Sequence, residues 1–199
     1  RLLIFTDLGR VYGLKAWEVP QGSRHSRGTH IRNLLENLQE EENIVSILPI
    51  SKELVDEVSE KCLKVKLEDG EKRPPSGYFL LFATKLGLIK KTDLHEYVRI
   101  NRNGKYALRF KLENDSLVNV QQSIDSDDVV MISTTGYASR FKCESIRTSG
   151  RVSGGVYGIK VADRKGSGGG FVAGMLAMSD HDSQILTISK YGMAKRSRL

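Results

Sequence analysis

The sequence LLIFTDLGRVYGLKAWEV, from Leu2 to Val19, contains the pattern that the rest of the chain repeats. An apolar strand leads to a short loop ending in Gly9, and a second strand follows. Because β-forming residues flank a glycine that can adopt the positive φ of a short hairpin loop, the stretch predicts a β-hairpin. Three later stretches align with it on their glycines: LLFATKLGLIKKTDLHEY (Leu80 to Tyr97), VMISTTGYASRFKCESI (Val130 to Ile146) and ILTISKYGMAKRSRL (Ile185 to Leu199). Each of the four stretches also has a hydroxyl residue three positions before its glycine: Thr6, Thr84, Ser133 and Ser189.

A second glycine motif follows the hairpin at a nearly constant distance. Gly28, Gly104 and Gly155 lie 19, 17 and 19 residues after their hairpin glycines. Each leads into a predicted strand (31–35, 107–112 and 156–161), and a turn then leads to a further apolar strand (44–50, 117–120 and 171–178). Four strands over about 50 residues are typical of propeller or pinwheel blades. We therefore predict an all-β, propeller-like β-pinwheel with about 3.5 four-stranded blades, in repeats of roughly 1–50, 78–128, 129–184 and 185–199.

The spacing of the repeats indicates one insertion. The hairpin glycines are 78, 49 and 56 residues apart, and we place the excess of the first interval at 51–77. That segment has six Lys/Arg against seven Asp/Glu and ends in Pro74-Pro75-Ser76-Gly77. It is interpreted as an exposed loop insertion with a short helix near Lys52 to Lys61. Because the fourth repeat stops in its second strand, we expect the domain to continue beyond this chain.

The positive charge recurs at one place in each repeat. The net charge is +7, and the windows 10–32, 88–111 and 137–160 hold 17 Lys/Arg against 4 acidic residues, whereas the rest of the chain holds 14 against 20. In a ring of blades such recurrence forms a basic belt, which suits the phosphates of duplex DNA. Two alternative explanations of the recurring positive charge are strand faces that are merely solvated and a face that binds an acidic protein. The candidate DNA-binding residues are Arg24, Arg27, Lys90, Lys91, Arg99, Arg102, Lys105, Arg140, Lys142, Arg147, Arg151, Lys195, Arg196 and Arg198.

The sequence predicts neither a catalytic centre nor a metal site. Cys62 and Cys143 form no CxxC motif and have no histidine at ligand spacing, and the four histidines (His25, His30, His95 and His181) are scattered over different repeats. Gly166 to Gly170 lacks the lysine of a phosphate-binding loop and is interpreted as a flexible loop. Aromatic residues within the repeats, such as Trp17 and Phe141, are assigned to packing before base stacking.

Several of these stretches resemble the C-terminal domain of the DNA gyrase A protein. The resemblance lies in GRVYGLKAWEVPQGSRHSRGTHIRNLL (Gly9 to Leu35), ATKLGLIKKTDLHEY (Ala83 to Tyr97), SGRVSGGVYGIKV (Ser149 to Val161) and ILTISKYGMAKRS (Ile185 to Ser197). It covers nearly the whole chain except the insertion. No stretch matches the glutamine-, arginine- and glycine-rich box that this family uses for wrapping.

The resemblance implies a six-bladed β-pinwheel that exchanges strands between neighbouring blades and bends DNA around its outer rim. It implies that the parent protein is an ATP-hydrolysing DNA topoisomerase of the isomerase class, which supercoils DNA negatively. The implied partners are duplex DNA, the gyrase A N-terminal core and the gyrase B protein, in an A2B2 assembly without a membrane. ATP and magnesium are expected only in the holoenzyme. The protein is expected in a bacterial cytoplasm or, alternatively, in a bacterium-derived organelle. The alternatives are the A-type protein of topoisomerase IV and a propeller-like protein-interaction module.

Overall fold

The computed structural model describes residues 1–63, 73–161, 169–179 and 184–198. Within these ranges, apart from one short helix, the regular elements are mainly strands, as predicted. The strands are β1 (Leu2–Thr6), β2 (Arg10–Leu14), β3 (Ile44–Pro49), β4 (Phe79–Thr84), β5 (Leu88–Asp93), β6 (Lys105–Tyr106), β7 (Leu117–Ser123), β8 (Asp128–Ser133), β9 (Ala138–Lys142), β10 (Val156–Tyr157), β11 (Val172–Met178), β12 (Gln184–Ile188) and β13 (Ala194–Arg198). The helix is α1 (Lys52–Val58); a π-helical turn (Ser59–Leu63) follows it, and 3-10 helices lie at Ala16–Glu18, Ile31–Asn33, Leu94–Tyr97 and Cys143–Ser145.

The four predicted hairpins are confirmed, and their turns share one geometry. Gly9, Gly87, Gly136 and Gly192 all have positive φ, between 73° and 94°. The repeated hydroxyl group closes each turn by accepting a hydrogen bond from the backbone N–H four residues later. The four bonds are Arg10 N to Thr6 Oγ1 (3.3 Å), Leu88 N to Thr84 Oγ1, Tyr137 N to Ser133 Oγ and Met193 N to Ser189 Oγ (3.1 Å each). The hydroxyl therefore satisfies a donor at the start of the second strand, which explains its recurrence.

Each of the first two blades is completed by a strand from the following repeat. The first sheet has the order β3-β1-β2-β6, and the second has the order β10-β5-β4-β7. β6 follows β5 in the chain but pairs with β2, and β10 follows β9 but pairs with β5. Within the described residues the third sheet has three strands (β11-β8-β9) and the last repeat contributes the β12-β13 hairpin. Strand exchange shifts one edge strand of each sheet by one blade, so the third sheet, within the described residues, lacks the fourth strand that the repeat pattern predicted.

The two edges of each blade have different surroundings. β3, β7 and β11 contact one another in that order. Val120 N donates to Ser46 Oγ at 3.0 Å, and Ala177 N donates to Gln121 Oε1 at 2.7 Å, so hydrogen bonds link this edge from blade to blade. These strands therefore form the inner edge of the fold, and the exchanged strands β6 and β10 lie on the opposite, outer edge.

The core fills the spaces between neighbouring blades. Phe5 of the first blade packs edge to face on Phe82 of the second, with ring centroids 5.6 Å apart, and Tyr97 contacts both rings. A second cluster joins Leu81 of the second blade to Met131 of the third. Burial of these side chains between sheets stabilises the stacking of the blades.

Of the three strands predicted after the second glycine motif, two are not formed as predicted and the third is short. Gly28, Gly104 and Gly155 do have positive φ. Residues 31–35 nevertheless begin with a 3-10 helix, β6 (Lys105–Tyr106) ends before the predicted segment 107–112, and only Val156–Tyr157 of the segment 156–161 pair with a sheet. Ala107 N and Leu108 N both donate to the Gly9 carbonyl, at 2.8 and 3.1 Å, so the chain leaves the outer edge and turns into the core there.

The insertion is more compact than an exposed loop. The predicted helix is present as α1, but Val58 and Cys62 are fully buried. Val58 packs with Leu94 and Val98, because the apolar side of α1 faces the space between the first two blades. Residues 64–72 of the insertion, and most of the segment Gly166 to Gly170, lie outside the described residues.

Candidate nucleic-acid interface

Most of the predicted DNA-binding residues lie on the surface. Arg151 is half-buried, and two others are buried. Eleven of the fourteen are exposed: Arg24, Arg27, Arg99, Arg102, Lys105, Arg140, Lys142, Arg147, Lys195, Arg196 and Arg198. Lys105 lies in β6, and therefore on the outer edge of the first blade.

Lys90 and Lys91 are not surface residues, although the sequence places them in the basic belt. Their exposed fractions are 1% and 3%, because exchanged and neighbouring segments cover β5 on both faces. Lys90 Nζ donates to the carbonyls of Ala107 (2.6 Å) and Arg151, and Lys91 Nζ contacts Asp125 and the Cys143 carbonyl. The two ammonium groups link blades to each other. We therefore remove both from the candidate interface, since their charge reversal would disrupt the core instead of testing DNA contact.

Other candidate cations already have acidic or carbonyl partners. Arg102 pairs with Glu18 at 2.6 Å, and Asp128 lies 2.6 Å from Arg140 and 3.0 Å from Lys142. Arg151 Nη1 donates to the Tyr106 carbonyl at 2.8 Å. These contacts hold the side chains in place and partly offset their charge, so each is a weaker attractor of phosphate than an unpaired cation.

One open cleft of about 480 Å³ is lined by cationic side chains from separate segments of the chain. Its lining combines four cations with one histidine and one carboxylate: Arg73, Arg99, Lys105, Arg151, His95 and Glu96. Lys105 belongs to the strand that completes the first blade, and Arg151 precedes the strand that completes the second. The carboxylate of the lining, Glu96, lies 4.0 Å from Arg151. The cleft is therefore net positive, which suits a phosphate group.

Sequence reasoning missed Arg73. It lies in the charged insertion, which was excluded from the repeats, and nothing in the local sequence distinguishes it from the neighbouring lysines. Its position became apparent only when the folded insertion brought it beside Arg99 and Lys105.

Exposed aromatic residues accompany the cations on the outer edge. Tyr106 and Tyr157 occupy equivalent positions in β6 and β10 and are 62% and 65% exposed. Trp17 is 76% exposed, so its assignment to packing was wrong; the Lys15 ammonium covers its ring at 5.1 Å. Phe141 is half-buried against the second core cluster, as expected of a packing residue. Flat exposed rings beside cations provide apolar contact area next to the charged groups.

No helix in the described part of the chain is long and apolar enough to span a membrane.

Comparison with known proteins identifies a family and a fold. The family model described as DNA gyrase C-terminal domain, beta-propeller, matches residues 1–51, 78–123 and 127–167. The DNA gyrase A protein of Deinococcus deserti is 36% identical over 197 residues, and that of Lawsonia intracellularis is 33% identical over 199 residues. These alignments cover 98% and 100% of this chain but 21% of each relative, so the chain spans about a fifth of their length.

Two solved structures share the fold. The C-terminal domain of DNA topoisomerase IV superposes with a TM-score of 0.75 at 22% identity, over 100% of this chain and 53% of that one. The DNA gyrase A C-terminal domain superposes with a TM-score of 0.67 at 21% identity, over 98% of this chain and 53% of that one. At these identities the structures establish the propeller architecture alone.

Proposed function

This chain belongs to the DNA gyrase C-terminal domain family, and we propose that it binds duplex DNA along the outer edge of its blades. The observation that carries the proposal is the cleft in which Arg73, Arg99 and Lys105 converge. Three separate segments, which contain Arg73, residues 99–105 and Arg151, bring cations to one place at the exposed edge strand β6. DNA phosphates are the ligands that such an arrangement fits best, since they present negative charge in a continuous line.

The binding is expected to depend on charge and not on base sequence. The exposed candidates are long, flexible cations on edge strands and loops, and contacts from such side chains to phosphates position DNA without reading its sequence. The exposed cations at 24, 27, 140, 142, 147, 195, 196 and 198 would extend the track beyond the cleft. Bending of the duplex along this track would serve the wrapping step of negative supercoiling.

The larger assembly is part of the same proposal. The parent protein would act as the A component of an ATP-dependent gyrase, with its catalytic centre in the N-terminal core and ATP bound by the B component. Gyrase is favoured over topoisomerase IV because relatives aligned over nearly the full chain at 33–36% identity are gyrase A proteins. A cytoplasmic location and the division into four repeats stay predictions.

The test compares two variants that each remove two positive charges. Arg99→Gln with Lys105→Gln removes charge from the cleft, whereas Lys52→Gln with Lys61→Gln removes exposed charge from the helical part of the insertion. Affinity for a short duplex is measured by fluorescence anisotropy across a salt series. For the cleft variant we expect weaker binding and a salt slope reduced by about 2, roughly 1 for each lost phosphate contact. Equal losses in both variants, or none in either, would show that DNA does not bind at the cleft.

A further inference from the structure

Three metal-binding side chains from different segments meet beside the insertion. Cys62 lies in the π-helical turn after α1, Asp93 ends β5, and His95 lies in the 3-10 helix Leu94–Tyr97. One ligand atom from each, the thiol sulfur, a carboxylate oxygen and a ring nitrogen, lie within 4.8 Å of one another. Cys62 and Asp93 are buried and His95 is half-buried. The cysteine is distant in sequence from the other two residues, so the cluster cannot be predicted from a local ligand motif.

Existing hydrogen bonds orient these groups but leave one nitrogen unsatisfied. Asp93 accepts bonds from the Ser76 N–H (2.7 Å) and hydroxyl (2.6 Å), which fix its carboxylate. The Cys62 thiol donates to the Pro74 carbonyl at 3.2 Å. His95 Nδ1 lies 2.8 Å from Asp93 Oδ1, but the approach is not aligned for a hydrogen bond, and this buried atom has no hydrogen-bond partner among the described residues. An imidazole nitrogen within 4.8 Å of a carboxylate oxygen and a thiol sulfur completes a set of three donors that is suited to a metal ion.

We propose that Cys62, Asp93 and His95 together bind one zinc ion. Sulfur, imidazole nitrogen and carboxylate oxygen are the donors that Zn²⁺ prefers. Its tetrahedral geometry requires small shifts, since His95 Nδ1 and Asp93 Oδ1 now lie 2.8 Å apart, closer than two ligands of one zinc ion. Water completes the fourth position. Ser76 serves as the outer partner that holds the carboxylate, an arrangement that typically accompanies bound zinc.

The ion would fasten the insertion to the second blade. Cys62 is contributed by the insertion, whereas Asp93 and His95 are contributed by the blade and the turn that follows it. The family model matches residues on both sides of the insertion but not 52–77. The proposed site therefore depends on the insertion for its cysteine, whereas its other two ligands lie in a repeated blade. His95 also lines the cleft that contains Arg73, so the ion would lie next to the proposed DNA contact without depending on it.

Binding requires loss of the thiol proton. The Cys62 S–H bond breaks, its proton passes to solvent, and the thiolate forms the bond to zinc while His95 binds as the neutral ring.

The test is a zinc titration of the purified, chelator-treated protein against a chromogenic chelator, with Co²⁺ as a spectroscopic substitute. We expect one equivalent of zinc per chain, and a thiolate-to-cobalt charge-transfer band with Co²⁺. Cys62→Ser removes the band and weakens binding by about a hundredfold or more, since even an outer partner of a ligand is worth about 10–100-fold. Cys143→Ser is the matched control, because it removes the other buried cysteine, which lies in the third blade. It keeps both the band and the affinity.

A second variant separates loss of the site from loss of the fold. His95→Gln removes the nitrogen ligand at a half-buried position, and its circular dichroism is compared with that of the wild type. Weak zinc binding with an unchanged spectrum supports the site. Zinc binding that is absent in the wild type, or equally strong in the wild type, Cys62→Ser and His95→Gln, would overturn the proposal. A negative result here leaves DNA binding at the cleft unaffected, and a negative DNA result leaves zinc binding unaffected.

Discussion

At the scale of single residues, Lys90 shows how the fold changes the chemistry of a side chain. Its ammonium group lies over the Phe82 ring at 4.9 Å and contacts two backbone carbonyls. Burial first, and then the nearby Arg151, lower the pKa of Lys90 to about 7, and Glu96 opposes them. In the unfolded chain the pKa of this lysine has its ordinary value of 10.5.

The lowered pKa predicts a pH dependence of stability. Between about pH 7 and pH 10 the unfolded chain holds the Lys90 proton and the folded chain does not, so this residue makes the free energy of unfolding rise with pH, by at most about 1.4 kcal/mol per pH unit. Below about pH 7 both states are protonated and its contribution is constant. Urea unfolding of the wild type and of Lys90→Met, measured from about pH 6.5 to 9, tests this. The free energy of unfolding of the variant should not rise over this pH range. A parallel rise in both proteins would show that other titratable groups cause it.

The same residue marks a limit of sequence analysis. The hydroxyl groups of Thr84 and Ser189 could be predicted as parts of the hairpins, because their hydrogen-bond partners lie four residues away. The burial of Lys90 and Lys91 could not, because the segments that cover them lie tens of residues further along the chain. Adjacent lysines in a strand suggest at least one exposed face, and only the exchanged segments remove it.

At the scale of elements, strand exchange depends on close backbone contact at the hairpin glycines. The Gly87 carbonyl accepts bonds from Gly158 N (2.9 Å) and Ile159 N (3.2 Å), which seats the segment that contains β10. A Cβ at Gly87 would lie 2.1 Å from the Ile159 carbonyl oxygen. Gly136 has a similar positive φ, but a Cβ there would have no atom within 4 Å.

This pair of glycines gives a matched test of the exchange. In Gly136→Ala the only penalty is the left-handed backbone conformation, so the substitution should destabilise the protein by about 1–2 kcal/mol. Gly87→Ala adds displacement of the exchanged segment and should cost about 3 kcal/mol or more. Urea unfolding gives both values, and hydrogen exchange at Gly158 and Ile159 should accelerate in Gly87→Ala alone. Equal costs for the two variants would mean that the contact contributes nothing to stability.

Hairpins and exchanged strands differed in how well they could be predicted. Each hairpin encodes its own turn, so the glycine and the hydroxyl group suffice to locate β4 and β5. The strands β6 and β10 are two residues long because they bridge to another blade, and their partners are set by tertiary packing. Their glycines at 104 and 155 were recognised from the sequence, but the length and the partner of each strand were not.

At the scale of the whole molecule, the repeated positive charge lies along the outer edges of successive blades. The exchanged strands place Lys105 and the exposed rings of Tyr106 and Tyr157 on the outer edges of successive blades. A duplex that contacts several blades in turn must follow their curvature. Smooth bending of a site of about 20–30 base pairs costs about 1–6 kcal/mol, which several phosphate contacts together must exceed.

The decisive prediction concerns DNA topology. A duplex held along a curved track acquires writhe of one hand, and ligation of a nicked circle in that state converts the writhe into a change of linking number. We expect a linking-number shift that grows with protein concentration and falls with added salt, because the contacts release counterions. The Arg99→Gln, Lys105→Gln variant should give a smaller shift than Lys52→Gln, Lys61→Gln at equal concentration. Tight binding without any shift would mean that these blades provide a charged contact track but do not bend the DNA, so that wrapping requires sequence outside this chain.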